Sequence, residues 1–494
     1  MKKLLALLSV CSVVCPVRAQ SVRILNLSLE EVISTAQDQS PRAMMAKHNF
    51  RASYWQYRSF QAKLLPSLNL TGTVGNFNRS LIPLQNAETG EINYRENNNL
   101  NNQLNLSIDQ NIPFTGGTVS VFTNLNRLDQ FSPNDGTTYN SQPINITYLQ
   151  PLRAFNSLKW EKKIEPKEYD RAKRTYLETM EDITLSATGY FFDLLLAQRR
   201  LEMSEKNYRN TETLYKIASE RFKLGSITKS ELLQLELRLL NDGLAINENR
   251  LEADRARSQL RSFLGYNETV EIVPVMPEGV PDITLDYTHV LELSYENSSF
   301  VLTQDLSLLE AQQAVAEANA SRGLSAQLKA QFGLTQQASE FMHAYRNPMD
   351  QEILSLGFSI PIMDWGQGKG RVKMAQSREA VVRTQIEQAM ADHRQEVMIG
   401  VMQFNNQKRQ CLISSKADTI AQERYDLTRE RFIHGTVGVT DVNTAQTEKD
   451  EAVIRYVTEL RNYWQYYYTI RKMSLYDYLT HTNISAEFDR IVEN

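Results

Sequence analysis

The chain has little cysteine and no long apolar segment beyond its N-terminus. Only three cysteines occur, Cys11, Cys15 and Cys411, so a framework of disulfides is excluded. No downstream segment has the roughly eighteen uncharged apolar residues of a membrane helix. The nearest, Ile183 to Gln198, contains Asp193. A transmembrane helix is therefore not predicted, and a mature protein that spans a membrane would do so as a closed β-barrel.

The N-terminus has the three parts of a signal peptide. Lys2 and Lys3 are basic, Leu4 to Val14 is apolar, and Val17 to Ala19 is a small-x-small cleavage sequence. We therefore predict cleavage after Ala19 and export of the mature chain. Val14 is not the small residue that a lipoprotein has before its modified cysteine, so lipidation of Cys15 is not predicted.

Basic excess, metal clusters and catalytic groupings are also lacking. Without the leader the chain has 51 basic and 58 acidic residues, a net charge of −7, which does not favour a nucleic-acid partner. The histidines are scattered, and no serine or cysteine nucleophile has an evident base, so we predict no metal site, no cofactor and no enzyme. The glycines of "WGQGKGRV", Trp365 to Val372, lack the surrounding βαβ unit of a phosphate loop and favour a strand-to-helix junction.

An internal repeat is the main feature that is present. "RFKLGSIT", Arg221 to Thr228, aligns without gaps with "RFIHGTVG", Arg431 to Gly438, at an offset of 210 residues. The same offset places "LQPLRAF" on "SIPIMDW". Further upstream, "KLLPSLNL" matches "RGLSAQLK" at an offset of 259, so the first half has about 49 extra residues between Leu70 and Pro151. The sequence therefore predicts a duplicated unit with one insertion.

Each half contains a very long predicted helix. Apolar or aromatic residues recur every seven positions from Met180 to Phe222, and again, with one exception at Asp418, from Met390 to Phe432. Sustained seven-residue spacing is typical of supercoiled helices, and about sixty-five residues would extend roughly 100 Å.

Glycine ends each long helix and another helix follows it. Gly225 and Gly435 fit left-handed helix C-caps, and Thr228 with Glu231 forms a capping box that starts the next helix. We predict two antiparallel helical hairpins, 157–265 and 369–476, whose tips lie side by side. Ser28 with Glu31, and Ser40 before Pro41, predict two earlier helix starts.

Period-two alternation predicts strands at about 66–151 and 325–362. Leu354, Leu356 and Phe358, for example, alternate with Ser355 and Gly357. One apolar and one polar face on strands of about ten residues is typical of outer-membrane barrels. The alternative is a soluble sandwich with one wet face. Export and the small number of strands favour a barrel that is shared among copies of the chain.

The repeated motifs resemble those of the TolC family of outer-membrane efflux proteins. They are the doubled "ERFxxG" turn, the doubled "QPL"/"IPI" before a long helix, and "LLPSLNL" between a helix and a strand. The resemblance covers about Leu25 to Tyr476. It implies a mostly α fold with a transmembrane β-barrel portion, in a homotrimer whose chains each give four strands to a twelve-stranded barrel. The helices would form a tunnel across the periplasm, girdled at mid-length by the helices near Ser28 and Thr288 and by the tail.

The resemblance also implies partners and a layout. The tips would dock onto a periplasmic adaptor that joins an inner-membrane pump, and the channel itself would be passive. The predicted layout is a signal peptide at 1–19, a first repeat at 20–270, a linker at 271–285, a second repeat at 286–476 and a tail at 477–494. The predicted docking residues are Arg221, Phe222, Gly225, Ser226, Thr228, Arg431, Phe432, Gly435, Thr436 and Thr440.

The sequence departs from the family in two places. The extra residues contain a predicted hairpin at about 99–130, which either enters the barrel wall, giving eighteen strands, or is appended to it; the family favours twelve.

At the tip, Asp441 matches an aspartate that narrows the family's periplasmic entrance, where three carboxylates would favour cations. Better-known members of the family have a second acidic residue where this chain has Thr444, and an arginine where it has Val437. Asp441 is alternatively a solvated residue at a helix N-terminus.

These features favour an outer-membrane duct of a tripartite efflux or export system. Two alternatives are the exit duct of a type I protein secretion system, and a structural periplasmic coiled coil without a pore. Amphipathic strands disfavour the coiled coil, which has no use for them.

Overall fold

The computed structural model describes residues 23–85, 89–132 and 135–493. The predicted signal peptide, residues 1–19, lies outside these ranges. The chain divides into two compact units. The helical unit comprises residues up to 47, 177–293 and 397–484, and the sheet unit comprises residues 48–176, 294–396 and 485 onward.

Long helices dominate the chain. The first half contains, in order, β1 (Arg23–Leu27), α1 (Leu29–Gln39), α2 (Pro41–Lys63), β2 (Ser67–Gln85), β3 (Ile92–Ile112), β4 (Gly117–Ser132), β5 (Gly136–Arg153), α3 (Ser157–Lys223), α4 (Lys229–Phe263) and β6 (Val270–Pro274). The second half contains α5 (Tyr287–Asn297), α6 (Phe300–Ala320), β7 (Ser325–Ala338), β8 (Met349–Ser359), α7 (Gln367–Ile433), α8 (Val439–Ser474), β9 (Tyr476–Asp477), β10 (Thr482–Asn483) and α9 (Phe488–Glu493). Helices α3 and α7 each have 67 residues, and with α4 and α8 they occupy the two predicted hairpins.

Local capping signals place the first helix starts as predicted. The Ser28 hydroxyl accepts the backbone N–H of Glu31, whose carboxylate accepts the Ser28 N–H in return. The Ser40 hydroxyl accepts the Ala43 N–H at 3.1 Å, directly before the proline that opens α2. Each side chain satisfies a backbone donor that has no partner within its own helix.

The core of the helical unit contains apolar residues that recur every seven positions along α3 and α7. Ala187 and Leu194 of α3, and Val397, Phe404 and Cys411 of α7, are all buried there. Aromatic rings fill the space between helices, with Phe404 and Tyr463 centroids 5.1 Å apart.

The segment predicted as a linker, 271–285, begins with a strand. β6 pairs in parallel with β1, from Arg23 opposite Val270 to Leu27 opposite Pro274. The β-branched residues of "VEIVP" favour a strand, but the partner is far upstream in the sequence, so no local pattern indicates the pairing.

The sheet unit contains one six-stranded antiparallel sheet in the order β2-β3-β4-β5-β7-β8. The inserted hairpin, β3 and β4, lies inside this sheet, since β3 pairs with β2 on one side and β4 pairs with β5 on the other. Within the described residues this sheet therefore has six strands, where the family resemblance implied four strands per chain. The inserted strands are an integral part of the sheet, because β2 pairs with β3 along nearly the whole length of β2. The pairing extends from Ser67 opposite Asp109 to Gln85 opposite Ile92.

The two faces of the sheet differ in polarity, as the alternation predicts. Large side chains on one face are exposed, including Leu70 at 72%, Leu356 at 60% and Phe358 at 71%. The opposite face buries polar side chains, among them Asn145 at 0% and Gln331 at 6% exposure. The enclosed face is therefore the polar one, which is the reverse of a soluble sandwich.

Candidate functional site: the two helical tips

The two hairpin tips have the same backbone geometry. In the first, the Ser226 N–H donates to the Arg221 carbonyl at 2.9 Å and the Gly225 N–H to that of Phe222 at 3.0 Å. In the second, Thr436 donates to Arg431 at 2.9 Å and Gly435 to Phe432 at 3.0 Å. Gly225 and Gly435 have φ values of +73° and +81°. Both tips are therefore Schellman C-caps, in which glycine adopts the left-handed conformation without steric cost.

The helices that leave the tips start differently. At the first tip, the Thr228 hydroxyl accepts the Glu231 N–H at 3.2 Å and the Glu231 carboxylate accepts the Thr228 N–H at 2.8 Å. The Thr228 hydroxyl also donates to this carboxylate at 2.9 Å, and the backbone N–H bond first, then the hydroxyl bond, lower the pKa of Glu231. At the second tip the cap residue, Gly438, has no side chain, and only the Asp441 carboxylate closes the turn by accepting the Gly438 N–H at 3.2 Å. Asp441 thus has a local capping role, and its side chain is exposed.

The tips lie side by side, as the sequence predicts. The Arg221 guanidinium donates to the backbone oxygens of Phe432 at 2.8 Å and Ile433 at 2.7 Å, and lies over the Phe432 ring. Arginine from the first hairpin therefore satisfies carbonyl groups at the C-terminus of α7. Beneath this contact is a shared apolar cluster, which we call the tip cluster: Leu214, Ala218, Leu232, Leu235, Tyr425, Phe432, Val439, Val442 and Ala445.

The predicted docking residues divide into exposed and internal ones. Phe432 is 2% exposed and belongs to the tip cluster, and Arg221 is half-buried against α7, so both hold the tips together. The exposed residues are Phe222, Gly225, Ser226, Thr228, Arg431, Gly435, Thr436 and Thr440. Leu224, which the sequence analysis did not single out, is 80% exposed at the apex of the first turn. The sequence could have indicated Leu224 as a tip residue, because it directly precedes Gly225, the glycine that ends the helix.

A buried polar layer lies farther along the hairpins. The Lys449 ammonium, 3% exposed, lies 3.1 Å from both Asn207 Oδ1 and Asp450 Oδ1, and 4.4 Å from the centroid of the Tyr425 ring. Burial raises the pKa of Asp450, and Lys449 partly offsets this. Beside it, Asp242 accepts hydrogen bonds from Thr211 at 2.6 Å and Arg238 at 3.0 Å. Sequence pattern did not indicate this layer, because its members come from four helices, α3, α4, α7 and α8.

A groove of about 730 Å³ adjoins the polar layer between α3, α4 and α8. Its lining combines apolar and charged side chains, including Met203, Asn207, Arg238, Asp242, Ile454 and Arg455. Met203 of α3 and Ile454 of α8 thus face the same groove.

The described residues contain no group of histidine, cysteine and acidic side chains that would hold a metal ion. Among the helices of the described ranges, none is both long and apolar enough to cross a membrane.

Sequence comparison identifies the family. The family model described as outer membrane efflux protein matches residues 32–266 and 297–474. The chain belongs to the outer membrane efflux protein family. The matched ranges include all four tip helices and the whole six-stranded sheet, so the TolC-family resemblance is confirmed. A search of curated protein sequences found no match.

Solved channel structures share the fold of this outer membrane efflux protein. The Campylobacter jejuni CmeC outer membrane channel aligns at a TM-score of 0.65 and 14% identity, over 94% of this chain and 88% of that one. The outer membrane protein VceC from Vibrio cholerae aligns at 0.62 and 13% identity, over 90% and 95%. The open state of the Neisseria gonorrhoeae MtrE outer membrane channel aligns at 0.58 and 14% identity, over 90% and 88%. At these identities the likeness shows the fold.

Proposed function

We propose that this protein is the outer-membrane channel-tunnel of a tripartite efflux system, a homotrimer that serves as a passive duct across the periplasm. The observation that carries the proposal is the inverted sheet, which exposes large apolar side chains and encloses polar ones. An apolar outer face beside a polar inner face suits lipid outside and water inside. Membership of the outer membrane efflux family supports the same conclusion.

The edges of the sheet support an assembly of several copies of the chain. Within the described residues β2 pairs only with β3, and β8 only with β7. Unpaired strand edges are not tolerated in lipid, since their backbone groups would lack hydrogen-bond partners. In a homotrimer, β8 of each copy would pair with β2 of the next, and six strands per copy would close an eighteen-stranded barrel. The long helices of the two repeated halves, arranged around the same threefold axis in the three copies, would form the tunnel.

The tips would be the contact surface for a periplasmic adaptor, through which an inner-membrane pump supplies energy. The exposed Leu224 offers an apolar contact, and Ser226, Thr228 and Thr436 offer polar ones. The exposed Asp441 would form an acidic ring around the threefold axis, narrowing the entrance and favouring cations. Thr444 donates its hydroxyl to the Thr440 carbonyl and adds no second acid to this ring.

Two alternatives make different predictions. The exit duct of a type I secretion system has the same fold and would differ in its pump and cargo. A structural coiled coil without a pore would not conduct. Specificity for a transported compound would lie largely in the pump, so the duct's residues do not define it.

Single-channel recording tests the proposal. The purified mature protein, added to planar lipid bilayers, should give discrete conductance steps. Leu356→Lys, which places a charge on the exposed apolar face, should give few insertions, whereas Ser355→Lys on the opposite face should insert normally. A folded wild-type sample that gives no current would contradict the channel and favour the structural coiled coil.

A further inference from the structure

Helix α4 carries an exposed stripe of leucines. Successive members are separated by four, three, four and seven residues, which is the spacing of a coiled-coil seam. The stripe is Leu233, Leu237, Leu240, Leu244 and Leu251. Their exposures range from 49% to 73%, although α4 also has a buried side, with Leu235 at 1%. The helix therefore has a second apolar face that no part of the described chain covers.

Helix α7 carries a second such stripe. Ile413, Ile420 and Leu427 are spaced by seven residues and are 54%, 55% and 62% exposed. Met402, 64% exposed, extends the apolar surface away from the tip. The opposite side of α7, with Phe404, Cys411 and Tyr425, is buried inside the chain. Two long apolar stripes left exposed at coiled-coil spacing indicate missing partner helices.

Helices α3 and α8 show how such a seam forms within the chain. Asn207 of α3 donates to Asp450 of α8 at 2.6 Å, and Met203 and Ile454 line the same groove one turn farther from the tips. Farther still, Asp193 and Arg461 form an ion pair at 2.9 Å. The two helices are thus antiparallel neighbours over several turns.

The internal repeat predicts that the two exposed stripes form an equivalent contact with each other. Shifting α3 forward by 210 residues gives α7, and shifting α8 back by 210 gives α4. Met203 then corresponds to Ile413 and Ile454 to Leu244. Asn207 corresponds to Ala417 and Asp450 to Leu240. The equivalent seam is thus more apolar than the one inside the chain, and each of its helices lacks the other as a neighbour there.

We propose that the leucine stripe of α4 packs against the stripe of α7 from a second copy of this chain, in the register of α8 against α3. The inference rests on the homotrimer of the proposed function and assigns the residues that hold it together in the tunnel. Leu244 of one copy lies against Ile413 of the next, and Leu240 lies beside Ala417 and Ile420.

The tips carry an independent asymmetry that fits the same arrangement. Phe432 is 2% exposed beneath Arg221, whereas its counterpart Phe222 is 38% exposed. Arg431, the counterpart of Arg221, is itself exposed. In the proposed assembly, Arg431 lies over Phe222 of the next copy and donates to the carbonyl groups at the end of its α3, as Arg221 does for α7 within the chain.

Paired cysteines test the register in the full-length protein. Leu244→Cys with Ile413→Cys, treated with a short bifunctional thiol reagent, should give bands of two and three linked chains on denaturing gels. Each single variant should give none. Cys411 can remain, because burial raises the pKa of its thiol to about 11 and keeps it unreactive. Met203→Cys with Ile454→Cys is the matched control and should link only within a chain. Leu244→Cys with Leu427→Cys, displaced by about 20 Å along α7, should not link.

The outcomes separate this seam from the proposed function. Linked trimers from Leu244→Cys with Ile413→Cys alone would support it. A sample that is trimeric by native mass and conducts current, but links only in the displaced pair or not at all, would overturn the seam and leave the channel intact. A folded sample that stays monomeric and does not conduct would overturn both.

Discussion

The guanidinium of Arg221 donates a 2.8 Å hydrogen bond to the backbone oxygen of Phe432 and lies over the ring of the same residue. The first hairpin thereby caps the last turn of α7 in the second. A hydrogen bond with a charged partner contributes about 1.5–3 kcal/mol, so this contact helps to hold the two tips together.

Arg221→Ala should therefore loosen the tips. We expect a loss of about 2 kcal/mol in unfolding free energy and a larger or noisier single-channel conductance. Denaturant unfolding and bilayer recording would measure the two effects. Lys223→Ala, which removes an exposed ion pair with Glu220 on the same turn, should change stability by less than about 0.5 kcal/mol. Equal effects of the two variants would show that Arg221 has no special role.

The two tip glycines should differ in their tolerance of alanine. Both have positive φ, which costs an alanine about 1–2 kcal/mol. A Cβ on Gly435 would also lie 3.0 Å from the Arg221 guanidinium, whereas one on Gly225 would meet nothing within 4 Å. Gly435→Ala should therefore lower the melting temperature more than Gly225→Ala. Gly243→Ala, inside α4 with only ordinary contact to Tyr208, should raise it. The reverse order at the tips would contradict the described turn geometry.

The proposed acidic ring at Asp441 can be tested separately from the helix-capping role of this residue. Asparagine at this position keeps an oxygen that accepts the Gly438 N–H but removes the charge. Asp441→Asn should therefore reduce the preference of the channel for cations with little loss of stability, as measured by reversal potentials in a salt gradient. Glu231→Gln makes the same change at the same capping position of the other hairpin and should leave selectivity unchanged. Unaltered selectivity in Asp441→Asn would leave Asp441 with capping alone.

Glu181 should make stability depend on pH. Burial raises its pKa to about 7, although Arg471 at 3.1 Å opposes the shift. Because the folded pKa lies above that of the unfolded chain, the folded state binds the extra proton, and stability falls as pH rises from about 4.5 to about 7. The fall amounts to about 3 kcal/mol at pH values above this range. Thermal unfolding at pH 5 and pH 8 should show a smaller difference for Glu181→Gln than for wild type. Glu202→Gln, an exposed acid paired with Arg199, should behave as wild type.

Features of this fold that depend on neighbouring residues were predictable from the sequence, and the repeat also predicted the adjacent tips, but the strand pairings between distant segments were not predictable. The turn glycines and the box formed by Thr228 and Glu231 act within a few residues, so their pattern fixes their geometry. The pairing of β1 with β6 and the place of β3 and β4 inside the sheet depend on partners whose register the sequence does not display.

The tip residues show the same division. The motif placed Phe222 and Phe432 equivalently, but only the packing of α4 and α8 around them determines that one is exposed and the other buried. The burial of Lys449 likewise depends on Asn207 and Tyr425 from two other helices.

The central claim, a channel closed by three copies of this chain, is tested most directly by cryo-electron microscopy of the purified full-length protein in lipid nanodiscs. We expect a threefold-symmetric particle in which β8 of each copy pairs with β2 of the next, giving eighteen strands in the wall. A barrel of twelve strands with β3 and β4 outside the wall, or a particle without a closed barrel, would contradict it.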